Sequence, residues 1–191
     1  MTGDDGKTQV RSALTTRGAK YPAMALLAVG VVIGAGMIIG TLVMVRATGT
    51  NQFCGTACHE MQAALTELEA SSHGRNNIGL AATCRDCHIP HEYPASLIRK
   101  TQAGAKDIYQ HLLGAMDTPE KYEKARARMA KVELERLKGR DSAECRHCHD
   151  AAKMDLAKQT GLAAKSHKEA AAKKQTCVEC HTGVAHKEAP E

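Results

Sequence analysis

Eight cysteines and ten histidines carry the chemistry of this 191-residue chain, because the cysteines come only as close pairs and a histidine follows every pair. Three segments read C-x-x-C-H: Cys84-Arg85-Asp86-Cys87-His88, Cys145-Arg146-His147-Cys148-His149 and Cys177-Val178-Glu179-Cys180-His181. A fourth, Cys54-Gly55-Thr56-Ala57-Cys58-His59, has one residue more between its thiols. Two thiols on one turn reach the two vinyl groups of a single haem, and the next imidazole lies beneath the iron as an axial ligand. The pattern predicts four covalently bound haem c groups.

Paired cysteines also suit zinc ribbons and iron–sulfur ligation. The histidines decide between these readings. With 10 His in 191 residues, chance places one behind all four pairs with a likelihood on the order of 10⁻⁵. A disulfide framework predicts scattered single cysteines instead of pairs.

Six histidines remain as candidates for second axial ligand. His186 follows the last motif by five residues in CHTGVAH, a short tether that delivers an imidazole to a nearby haem. His73 and His167 lie upstream of their nearest motifs, with room to fold back. His147 sits inside a haem-binding loop, where reaching its own iron is sterically awkward, and reads as a surface residue. His91 and His111 read as ordinary exposed histidines. Three ligands for four irons leave one iron different from the others.

The elements that position these groups begin with residues 22–45, PAMALLAVGVVIGAGMIIGTLVMV, a stretch without charge. As a helix it reaches about 36 Å, against about 30 Å of hydrocarbon. Lys7, Arg11, Arg17 and Lys20 outnumber Asp4 and Asp5 before it, so residues 1–21 are expected to stay cytoplasmic. Residues 46–191 then lie on the periplasmic side of a bacterial inner membrane, behind a single-pass anchor. A cleaved signal peptide fits less well, since the apolar run exceeds a usual h-region and no A-x-A site closes it before Arg46. Gly30/Gly34 and Gly36/Gly40 have G-x-x-x-G spacing, which suggests a homodimer through the anchor.

Beyond the anchor the cysteine pairs form two clusters, giving two dihaem halves at about 46–100 and 140–191 joined by a helical connection. Thr118 is placed to cap a helix with Pro119 at its first position and Gly139 just past its end. Tyr122, Ala125, Met129 and Val132 share one face of it and read as core. No stretch alternates with period two for long enough to claim a strand. Aromatics are 3% of the chain, with no Trp and one Phe, so the haem discs are expected to fill the core. The fold class is mainly α: one transmembrane helix, then a small helical multihaem domain with long loops packed on four haems. A net charge of +5 with basic and acidic residues interleaved gives no nucleic-acid footprint.

The chain resembles the NapC/NirT/NrfH family of membrane-anchored tetrahaem quinol dehydrogenases. The likeness is carried by CGTACHEM, ATCRDCHIP, RKTQAGAKD, DTPEKYEKAR, DSAECRHCH and TCVECHTGVAH, in that order from the anchor onward. The resemblance implies that membrane quinol is oxidised at the first haem and that electrons pass to a periplasmic reductase, of nitrate or nitrite type. It also implies that Met61 or His59 is the proximal ligand of the first haem, and that Lys100 and Asp107 form the quinol site. Quinol oxidation releases two protons and two electrons, so a proton acceptor and an orienting cation both serve it. Carried over in the same way, His186 serves the second haem, His73 the third and His167 the fourth. The three residues between Cys54 and Cys58 depart from the family's usual two. Two other functions compete with this reading: a passive relay or docking cytochrome, and reduction of a small molecule at an open-faced haem.

Overall fold

In the computed structural model, residues 20–189 are described. Lys7, Arg11 and Arg17, which carry the orientation argument, lie outside them. The described chain divides into a unit ending at Ala47 and a second running from Thr48.

The first unit is one helix, α1, Lys20–Ala47. Its 28 residues rise about 42 Å at 1.5 Å each, enough to cross hydrocarbon. Pro22 falls in the first turn, where a missing N–H costs nothing, and Arg46 lies in the last turn, where a cation complements the helix dipole. A β-carbon added at Gly30, Gly34, Gly36 or Gly40 would touch nothing, so both glycine pairs are open.

The second unit is helical, with no strand among the described residues. Its helices are α2 (Asn51–Thr56), α3 (Gln62–Ala70), α4 (Cys84–His88), α5 (Ala95–Leu112), α6 (Pro119–Gly139), α7 (Ala143–Cys148) and α8 (Gly161–Lys173), with short 3₁₀ turns including His59–Met61 and Cys177–Glu179. Local signals set several boundaries. Thr50 caps α2 by accepting from Phe53 N at 3.1 Å. Thr118 does the same for α6 at Lys121 N, with Pro119 in the first turn. Gly139 is the last residue of α6, with Arg140 as the cap beyond it.

Two motif turns are shaped by the residues between their own cysteines. Asp86 Oδ2 accepts from the N–H and hydroxyl of Thr83, both at 2.8 Å. Glu179 Oε2 accepts from the same groups of Thr176, at 2.6 and 3.1 Å. Each acid thus ties down the start of the turn that carries its thiols.

Few apolar side chains are buried in this unit: Leu68, Pro90 and Tyr122. Ionic contacts between elements take on much of the packing. Arg126 on α6 makes a two-pronged pair with Glu67 on α3, at 2.9 and 2.7 Å, and its guanidinium lies 5.2 Å from the Tyr122 ring centroid. Arg136 and Arg140 both reach the buried Glu144 of α7, at 3.0 and 2.8 Å. Cys84 N donates to Asn51 Oδ1 at 2.8 Å, joining α4 to α2.

The expected core face of α6 is corrected in one place. Tyr122 is buried and Ala125 and Met129 are half-buried, but Val132 is 53% exposed. The buried partner of Tyr122 is Arg126, one turn along, because Glu67 and Glu123 neutralise it there. Met129 and Val132 instead line a cleft with His88 and Glu133. The two cysteine clusters also interlock: Lys187 N donates to Glu67 Oε2 at 3.1 Å, and His73 Nδ1 donates to the Val184 carbonyl at 3.1 Å.

Candidate redox site

The four cysteine pairs lie on α2 and the residues just after it, on α4, on α7 and at the turn Cys177–Glu179. No cysteine is in a disulfide. Burial pushes the Cys87 thiol up to about 11 and raises those of Cys54, Cys58, Cys84 and Cys145 as well. Among the described residues, Cys58, Glu60 and His111 form the one close cluster of metal-type donors, and no four-cysteine set converges. The donor geometry therefore disfavours zinc ribbons and iron–sulfur clusters.

The imidazoles give the positive signal. Ring centroids are 6.2 Å apart for His88 and His186, 6.1 Å for His73 and His149, and 6.1 Å for His167 and His181. At the first motif His59 faces His111 at 6.0 Å. An iron bound by two imidazole nitrogens, each about 2 Å from the metal, places ring centroids about 6 Å apart. The residues thus fit haem: each motif histidine is matched by one imidazole from elsewhere at that separation. His91 and His147 are different, stacked at 3.7 Å and 7° from parallel, too close to hold a metal between them. Beside His88 lies an open cavity of about 560 Å3, lined in part by Ile98, Arg99, Met129 and Val132.

Four of the paired rings have Nδ1 held by an oxygen. The acceptors are Glu133 Oε1 for His88 at 2.9 Å, Val184 O for His73 at 3.1 Å, Gln159 Oε1 for His167 at 2.6 Å and Glu60 Oε1 for His111 at 2.7 Å. Each leaves Nε2 available to a metal. His186 Nδ1 is buried without a hydrogen-bond partner, 3.7 Å from Glu67 Oε2, and burial lowers the pKa of the ring.

The extra residue of the first motif is accommodated by breaking the motif across two elements. Cys54 lies within α2, Ala57 caps that helix, and Cys58 is extended at φ −121°, ψ 124°. In α4, by contrast, Cys84 to His88 form one continuous helix. A β-carbon on Gly55 would clash with the Leu65 side chain, so α3 packs directly on the α2 backbone there. Met61 ends the following 3₁₀ turn, half-buried.

Lys100 and Asp107 both lie on α5. Lys100 Nζ donates to the Thr48 carbonyl at 2.7 Å, and the Cys54 thiol reaches the same oxygen at 3.7 Å. Asp107 acts electrostatically on both Cys54 and Cys58. Its carboxyl stays open to solvent yet is raised above the ordinary range, first by desolvation, with Lys106 and Arg99 opposing. Desolvation also lowers the Lys100 ammonium. His111 joins them on the same helix face, eleven residues after Lys100. That spacing, nearly a whole number of turns, was the sequence signal that could have set His111 apart. Glu60 and Glu133 had no such signal.

Residues 16–191 match the sequence profile of the NapC/NirT cytochrome c family, N-terminal region. The chain is 45% identical over 168 residues to a putative tetraheme cytochrome-c type protein of Allochromatium vinosum, covering 87% of this chain and 90% of that one. It is 45% identical over 139 residues to the cytochrome c-type protein NapC of Escherichia coli, covering 72% and 68%. To the denitrification system component NirT of Stutzerimonas stutzeri it is 35% identical over 191 residues, covering 97% and 94%. Fold and site define a membrane-anchored c-type cytochrome of electron transport with covalently bound haem c. The chain belongs to the NapC/NirT cytochrome c family.

Proposed function

We propose that this chain oxidises membrane quinol beside its first haem and passes the electrons through four haem c groups to a periplasmic reductase of nitrate or nitrite type. The observation that carries the reading is the convergence of Lys100 and Asp107 on the first motif, with His111 on the same face of α5. The names of the relatives, NapC and a denitrification component, support the choice of partner.

The cysteine pairs attach the haems, and four pairs of imidazoles hold the irons: His59 with His111, His88 with His186, His73 with His149, and His167 with His181. Met61 is the alternative to His59 at the first site. Bound haem supplies one-electron chemistry to a two-electron donor. Lys100, with one of its three donors on Thr48, directs the others at a quinol oxygen. Asp107 takes a proton as its carboxylate, one of the two that quinol releases with its two electrons; the other goes to solvent. The haem domain lies on the periplasmic side of the inner membrane, where haem c is attached. The open glycine pairs of α1 suit self-association of the anchor.

The test is quinol-driven haem reduction in detergent-solubilised protein, followed in the visible spectrum, with haem per chain measured on the same sample. Rapid reduction with four haems per chain is the expected result. Four haems that dithionite reduces and quinol does not would replace this reading with that of a passive relay.

A further inference from the structure

The oxygens that hold Nδ1 of the paired imidazoles are of two chemical kinds, divided by position along the haem chain. At the first and second sites they are carboxylates, Glu60 on His111 at 2.7 Å and Glu133 on His88 at 2.9 Å. At the third and fourth they are neutral, the Val184 carbonyl on His73 at 3.1 Å and the Gln159 side-chain oxygen on His167 at 2.6 Å. An anionic acceptor pulls the Nδ1 proton toward itself and leaves more electron density on the ring. A more basic axial imidazole favours oxidised iron over reduced iron, so the reduction potential falls.

We infer that Glu60 and Glu133 are positioning residues that hold the first and second haems at lower potential than the third and fourth. This rests on the ligand pairs proposed above. The two acids are not equal. Glu133 shares its charge with Arg136, at 2.9 and 2.8 Å, and with Arg99 at 3.2 Å. Glu60 is buried, and its second oxygen has no hydrogen-bond partner. Its other oxygen meets His111 at 2.7 Å and His59 Nε2 at 3.7 Å, so its charge acts on the first site with no lysine or arginine ion pair among the described residues to offset it. The order of rising potential is first haem, second haem, then the C-terminal pair. Each transfer moves one electron and breaks no bond. An electron delivered at the first site runs downhill toward the segment around residues 145–186, which the inference makes the exit.

The experiment is a redox titration of the full-length holoprotein in detergent, followed in the visible spectrum and by electron paramagnetic resonance. Glu133→Gln keeps an acceptor of the same shape but removes the charge. It is expected to make one of the four haems about tenfold easier to reduce in its equilibrium constant, a shift of about 59 mV for one electron. Glu60→Gln is expected to shift a different haem further in the same direction. Gln159→Glu, which removes no buried ion pair, is expected to make the fourth haem harder to reduce. Wild-type spectra without bis-histidine haems would overturn the ligand pairs, and this inference with them. Bis-histidine spectra in every protein with potentials that do not move would overturn the inference alone. If either glutamine variant fails to mature, an unmoved potential in Gln159→Glu decides against it.

Discussion

His59 and His111 face each other at the first motif with ring centroids 6.0 Å apart and planes 70° from parallel. His111 reaches this place from α5, and Glu60, next to His59 in the chain, fixes it by accepting from Nδ1 at 2.7 Å. The pairing bears directly on which residues would hold the proposed first iron. His111→Ala is expected to remove one bis-histidine signature from the low-temperature paramagnetic spectrum and leave the other three. Met61→Leu is expected to leave all four in place. The reverse pattern would return Met61 to the iron.

Quinol oxidation should follow a bell-shaped pH profile. In the proposed role Asp107 would accept a proton only as a carboxylate, and desolvation by the surrounding protein raises its pKa, so the rate should climb as pH rises through that raised value. In the proposed role Lys100 would orient quinol only as an ammonium, and desolvation lowers its pKa, so the rate should fall at a lower pH than an ordinary lysine would give. Asp107→Asn is expected to slow oxidation and flatten the acid limb. Lys100→Ala should slow it and remove the alkaline limb. Steady-state rates across pH, with haem content measured in parallel, provide the check; two variants with wild-type rates would eliminate the site.

The same shift has a consequence for stability. A carboxyl whose pKa is raised by folding stabilises the fold below its ordinary value, and that contribution is lost as pH rises through the raised one. At neutral pH the ionised Asp107 is thus a cost to the folded state. Asp107→Asn is expected to melt higher than the wild type at neutral pH, with the difference vanishing in acid. A lower melting temperature at neutral pH would show that the carboxylate has a stabilising partner.

What could be read from the chain alone was what depends on neighbours in sequence. The motif cysteines and histidines, the apolar run of α1, and the start of α6 at Thr118-Pro119 are all local patterns, and the structure has helices over the apolar run and from Pro119. The contacts that finish the site are not local. Glu133 meets His88 across 45 positions and Glu60 meets His111 across 51, and a glutamate in a charged helix carries no mark of its partner. His91 and His147 read as solvated histidines, yet they stack because α4 and α7 pack together. Val132 departs from the core position its spacing predicts for a related reason. Periodicity identifies an apolar stripe, but it does not tell whether protein or a cofactor-sized cleft lies opposite.

Arg126 tests how a unit with so few buried apolar side chains holds together. Its guanidinium is 7% exposed and bridges Glu67, 11% exposed, to Glu123 on its own helix. Glu67 also accepts from Lys187 N near the C-terminus, so one carboxylate ties α3, α6 and the last segment into one node. Burial opposes ionisation of Glu67, but the Arg126 and Lys187 hydrogen bonds outweigh it and lower its pKa. A depressed carboxyl pKa stabilises the fold above its ordinary value and loses that stabilisation as pH falls through the folded one. Arg126→Leu leaves Glu67 buried with its charge uncompensated, which costs about 3–5 kcal/mol. Thermal unfolding followed by circular dichroism at neutral pH is expected to show that loss, while the Arg126→Leu, Glu67→Leu double variant recovers part of it. The wild type should also lose stability in acid more steeply than the double variant. A single variant as stable as the wild type would mean that the pair is solvated and the apolar contacts of Leu68 and Tyr122 suffice.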